Sequence, residues 1–237
     1  MARVDTSGIH RRGVAMTIAV SAVALAATAC SYIAPKSPPT SAATPTLTQA
    51  ELDVEAANTM VLIVDDLPPG WSATTHARTA SDDADTRRLA ACVGMTSPAR
   101  YTADVDGQDF DKGNAHIETN TTVVPTTAAA RADLRALTGR KLAPCFLALG
   151  KRTLGSALVS ATLHRISVAR YGDAALAFRL TARVKSGTRV LTVYDDIYFL
   201  LKGRAEVTAL FGNIGRVFPA SLERSLVRKL AAKLKKT

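Results

Sequence analysis

An uninterrupted apolar run, GVAMTIAVSAVALAATA (13–29), stands near the start of the sequence and differs from everything after it. The stretch that follows, APKSPPTSAATPTLT (34–48), has no hydrophobic period and cannot form a core. From residue 49 onward, apolar side chains recur at helical or strand spacing. Thr48 and Glu51 have the spacing of a capping box, and Leu52, Ala56, Met60 and Ile63 follow at helical steps. This predicts a helix over 49–64, stopped by DDLPPGWS (65–72), where Pro68, Pro69 and Gly70 force a turn. Ser81-Asp82-Asp83 can cap a second, short helix carrying Leu89 and Cys92, and the polar segment 94–113 reads as a loop.

Residues 114–124 alternate like a strand, with Ala115, Ile117, Thr119, Thr121 and Val123 on one face. Thr126 or Thr127 then starts a helix through Leu134 and Leu137, and Pro144 begins another turn holding Cys145, Leu147 and Leu149. Strand patterns dominate afterwards. Segment 159–169 is β-like with a mixed apolar phase. In 174–185, Leu176, Phe178, Leu180, Ala182 and Val184 alternate with Arg179, Thr181, Arg183 and Lys185. Ser186-Gly187 makes a hairpin turn, strands 189–203 and 205–212 follow, and PASLERSLVRKLAAKLKKT (219–237) closes as a helix. Strands joined by short hairpins imply an α+β fold: an antiparallel sheet of about five strands with helices packed on one face.

Charge and leader change the picture from fold to address. A hydrophobic content of 47% supports a packed core, and an aromatic content of 5% makes it aliphatic. The net charge of +10 fits nucleic acid, an anionic membrane surface or a cell envelope equally well. Arg3, Arg11 and Arg12 ahead of the apolar run complete a secretory signal peptide over 1–29, which removes nucleic acid from the expected partners. Ala27-Thr28-Ala29 before Cys30 fits two enzymes: a lipoprotein peptidase acting before a lipid-modified cysteine, or ordinary signal peptidase releasing a secreted protein. Ala27 stands where the lipoprotein motif usually has Leu. Cysteine arithmetic favours lipidation, because an acylated Cys30 leaves Cys92 and Cys145 as a disulfide pair and no spare thiol. Residues 30–48 then read as a lipidated cysteine and a Pro/Ser/Thr-rich tether reaching about 45 Å, with the folded domain over 49–237. The expected location is the extracytoplasmic face of the cell membrane, the alternative a secreted protein.

A family resemblance rests on that leader, on a helix followed by DDLPPGW, on a helix around AACVG, on a strand and Ala-rich helix leading to PCFLALG, and on hairpins carrying YDDIYFLLKGRAEVTALF. Together these resemble actinobacterial envelope lipoproteins similar to the extracellular sensor domain of mycobacterial receptor serine/threonine kinases. The resemblance implies an antiparallel sheet braced by disulfides and a cleft for an unidentified ligand. The chain departs from it in having cysteines for one bridge where the kinase domain has two, and in carrying no kinase domain.

Candidate chemistry is sparse. His76, His116 and His164 stand apart in sequence, with no HxH, HExxH or CxxC spacing, so no metal site and no cofactor is expected. Neither Gly-x-Ser-x-Gly nor a nucleotide-binding glycine motif occurs, and a non-enzymatic protein is expected. Asp195 shares a strand face with Leu191, Val193, Ile197, Phe199 and Leu201. Two readings follow: a polar anchor in an apolar cleft formed with Phe178, Val193, Ile197 and Phe199, or a structural role, as a pair with Arg179 or Arg204 or at a strand bulge that turns Asp195 outward. On the last helix, Leu222, Leu226, Leu230 and Leu234 form the packing stripe. Lys233, Lys235 and Lys236 are candidates for contact with anionic phospholipid. Expected partners are the membrane through the lipid anchor, a lipid or other small apolar ligand, and an envelope protein. Trp71 reads as a packing plug.

Overall fold

The structure is a computed structural model that describes residues 47–235. The leader, Cys30, nearly all of the tether and Lys236 lie outside the described residues. Helix α1 (Gln49–Met60) begins at the Thr48 capping box and ends four residues before the expected limit, where Val61 turns extended. A short strand β1 (Ser72–Thr75) precedes α2 (Ala80–Val93), whose cap is Thr79 with Asp82, two residues ahead of the Ser81 expected to cap it. Then come β2 (Ala103–Asp106), β3 (Gln108–Lys112), β4 (Ala115–Val123), α3 (Thr127–Leu137) and α4 (Leu142–Leu154). The chain closes with β5 (Leu158–Ile166), β6 (Ala174–Ser186), β7 (Arg189–Lys202), β8 (Ala205–Ile214) and α5 (Ala220–Leu234).

All strand pairs are antiparallel, in the order β1-β3-β4-β8-β7-β6-β5, with β2 also on β4. The sheet thus has eight strands rather than about five. The additional strands are β1, β2 and β3, and two of them occupy the segment expected to be a loop. Chain reversals at Gly187-Thr188 and Gly203-Arg204 join β6 to β7 and β7 to β8.

Helices cover both faces of the sheet, which corrects the expectation of one. On one face, Leu226, Leu230 and Leu234 of α5 and Met60 of α1 pack on Ile117, Leu200, Val207 and Phe211. Trp71 lies against Phe218 with ring centroids 6.0 Å apart, as a plug where the α1–β1 turn meets this core. On the other face, Val93 of α2, Leu137 of α3 and Leu142 and Cys145 of α4 pack on Leu176 and Phe178. The Cys92–Cys145 disulfide ties α2 to α4, with Cα atoms 5.9 Å apart. The long β6 and β7 strands carry apolar residues at both odd and even positions in their lower halves, as two buried faces require.

Candidate functional site

Between the sheet and the α2/α4 pair the second face opens into a cleft of about 260 Å³. Its roof is formed by Leu89 of α2 and by Phe146, Leu147 and Leu154 of α4, and its floor is the sheet. Cross-strand register arranges that floor in rows. One row runs Asp111, His116, Gly212, Asp195, Leu180 from β3 to β6. The next runs Glu118, Leu210, Ile197, and a third Asn120, Thr208, Phe199; on β6 these two rows pass out of the cleft into Phe178 and Leu176 beneath the bridged helices. Because side chains on one face recur every second residue, the rows share one gradient: charged or polar on β3 and β4, apolar on β6 and β7, with Asp195 of β7 the exception.

The charged half is a wall of paired groups. Arg78 donates from Nη1 and Nη2 to Asp104, both at 3.0 Å, and its Nε lies 3.0 Å from Asp106. Asn120 donates to both carboxylates at 2.9 Å. His76 Nδ1 meets Asp109 at 2.6 Å. His116 is held between two acids, Nδ1 to Asp111 at 2.8 Å and Nε2 to Glu118 at 2.7 Å. Burial works against a charge on this imidazole, but the two carboxylates outweigh it and push its pKa up to about 10, so both ring nitrogens donate. His76 is raised in the same way, burial being overcome by Asp109. Asp109, His116 and Glu118 present ligand atoms within 4.8 Å of one another, a grouping that histidine spacing in the sequence does not reveal.

Asp195 lies at the junction of the two halves. It is reached from the cleft yet ringed by protein, and burial, reinforced by the Glu118 and Asp196 charges and partly offset by the His116 charge, lifts its carboxyl to about 7. Among the described residues it has no hydrogen-bond or ion-pair partner. The expected structural pairs go elsewhere. Arg179 binds Asp196 on the opposite face, Nε to Oδ1 at 2.6 Å, and Arg204 binds Asp53 of α1. An ideal Cβ on Gly212 would stand 2.7 Å from Asp195 Oδ1, so the carboxylate lies over a notch in the floor that only glycine leaves open.

Of the residues singled out from sequence, Val193, Asp195, Ile197 and Phe199 line the cleft together. Phe178 does not. It sits beneath the disulfide-bridged helices with Val93 and Cys145, edge-on to Phe199 at 6.1 Å. Lys233 donates to the Val61 carbonyl at 2.8 Å and to Asp66 at 2.7 Å, and so fastens α5 to the α1–β1 turn. Lys235 is exposed. The charged wall went unread because Asp104, Asp106, Asp109 and Asp111 look like loop residues. Their signal is alternation about Gly107, with Ala103 and Val105 before it and Phe110 after it on the other parity. The one-residue shift keeps all four acids on the same side.

The fold and its cleft define an α+β domain with a groove that is charged on one side and apolar on the other. No family profile and no curated protein matches the sequence. Among solved structures the chain is similar to the extracellular domain of PknH from Mycobacterium tuberculosis, at 9% identity and a TM-score of 0.43, covering 77% of this chain and 96% of that one. At that level the likeness says nothing of ligand or activity.

Proposed function

We propose that the protein is a non-enzymatic, lipid-anchored binding domain of the cell envelope that captures an amphipathic ligand. The observation that carries this reading is the cleft itself: an apolar half on β6, β7, α2 and α4 against a charged half on β2–β4. Such a division matches a molecule with a hydrocarbon part and a polar head, and the volume lies near the lower end for small-molecule sites. The leader, Cys30 and the tether supply the anchor in this reading, as the sequence expects. The histidines and acids of the wall are occupied with one another, an arrangement that fixes their positions and orients a bound head group.

Native mass spectrometry of protein purified from its own host tests the capture. A small molecule bound in stoichiometric amount, and lost when Ile197→Trp fills the floor, is expected. Protein that arrives empty, and stays empty when offered host lipid extract, overturns it. Intact mass of the membrane fraction with and without Cys30→Ala tests the anchor separately.

A further inference from the structure

Charge in this molecule is segregated. The chain carries 30 Lys and Arg against 20 Asp and Glu, yet among the described residues six acids line the cleft and Arg78 is the one Lys or Arg that does. Four of those acids have cationic partners, Asp104 and Asp106 sharing Arg78, Asp109 meeting His76 and Glu118 meeting His116. Asp195 has no hydrogen-bond or ion-pair partner among the described residues, only the more distant charge of His116 one strand beyond Gly212, and its carboxylate fills the space that Gly212 leaves without a side chain. An enclosed carboxylate without a partner is costly, and a cation brought by a ligand removes the cost. Glu206, whose buried Oε1 has no partner, lies six residues from Gly212 along β8, about 20 Å away, and cannot share one small cation with Asp195. From Asp195 the floor continues into Leu180, Ile197 and Phe199 beneath Leu89 and Leu154, and Glu206 lies one row beyond Phe199.

We infer that the ligand is a cationic amphiphile, its ammonium-type head seated against the Asp195 carboxylate and its hydrocarbon chain laid along Leu180, Ile197 and Phe199. This rests on the cleft being a binding site and adds the sign of the head group. The preference runs against the net charge of the whole protein, which on its own would draw anions.

The test titrates the intact protein with dodecyltrimethylammonium, dodecanoate and dodecyl glucoside, each below its micelle concentration, by calorimetry. The ammonium probe is expected to bind at least tenfold more tightly than dodecanoate. Asp195→Asn is expected to remove that preference, bringing the ammonium probe and dodecanoate within about threefold of each other, and the glucoside reports how far the variant alters binding of an uncharged head. Gly212→Ala, which keeps the charge but displaces the carboxylate, weakens the ammonium probe alone; circular dichroism confirms that both variants are folded. Equal or tighter binding of dodecanoate overturns the cation inference and leaves the cleft reading intact. Failure of all three probes, with no change on Ile197→Trp, overturns both. Zn²⁺ that displaces the ammonium probe and is itself lost in His116→Ala would make the wall a metal site and overturn the inference as well.

Discussion

Arg204 closes on Asp53 through two hydrogen bonds, Nη2 to Oδ1 at 2.6 Å and Nη1 to Oδ2 at 2.9 Å. The pair joins the β7–β8 turn to α1 across 151 residues of sequence, and Thr102 adds a third hydrogen bond to the same carboxylate at 2.6 Å. Burial opposes the Asp53 charge, but these donors overcome it and hold the carboxyl below its ordinary range. Asp53 is buried while the guanidinium is partly in water, so solvent screens part of the attraction. Asp53→Ala is therefore expected to cost about 2 kcal/mol in urea unfolding, below the 3–5 of a fully buried pair. A loss under about 0.5 kcal/mol would show that α1 is held by Ala57 and Met60 alone.

The Cys92–Cys145 bridge spans 53 positions and holds the roof of the cleft, not its floor. Closing a loop of that length restricts the unfolded chain by about 4 kcal/mol in the entropy model. Replacing both cysteines with Ala should lower stability by about 3 kcal/mol. Hydrogen exchange should accelerate first in α2 and α4, while β7 and β8 keep their protection. Uniform acceleration across the sheet would mean that roof and floor unfold as one unit.

These two contacts show what the sequence makes legible. The disulfide follows from counting cysteines, and β6, β7 and β8 follow from alternation, because a half-buried strand writes its faces at period two. Val193, Asp195, Ile197 and Phe199 share a cleft for the same reason. The Asp53–Arg204 pair leaves no local trace, since its partners meet only through the fold. The charged wall is hidden differently. Its strands are short, lie towards the β1 edge of the sheet and carry aspartates, which strands usually avoid, so composition pointed to a loop. The second helical layer is missed because Ala175, Ala177 and Tyr198, which face α5, alternate with more strongly apolar residues that face the cleft.

Lys233 was a candidate for membrane contact, but it is clasped by Val61 and Asp66. Lys233→Met removes the charge and both bonds while keeping the aliphatic stem. It should cost about 1 kcal/mol, the scale of a charged hydrogen bond at a partly exposed site. Binding to vesicles of anionic phospholipid should not change. Vesicle binding that falls with Lys233→Met, with no loss of stability, would restore the membrane-facing role.

Stability should fall as pH rises from about 5 to about 8. Burial lifts Asp106 to about 6, Asp195 to about 7 and Glu206 to about 8, against ordinary carboxyl values of 3.8 and 4.5. Glu223, enclosed beneath α5 with the Tyr198 hydroxyl bonded to it, is raised as well. Between its unfolded and folded pKa each of these groups holds a proton in the native state that it has lost in the unfolded one. The native state thus binds more protons, and the free energy of unfolding declines with pH through that window. His116 continues the trend, since its folded pKa of about 10 lies above the ordinary 6.5 and its contribution disappears as pH climbs between the two. Asp53 acts in the opposite direction, but below about pH 4, outside this range. Asp195 alone, holding its proton from about pH 5 to about pH 7, contributes about 3 kcal/mol, which for a domain of this size lowers Tm by about 10 °C, and the other groups add to the fall up to pH 8. Asp195→Asn removes one of the titrating groups, so its Tm should exceed that of the parent at pH 8 and match it at pH 5. A Tm that is flat or rises over this interval in the parent protein would mean that the enclosed acids ionise freely and that Asp195 needs no cation.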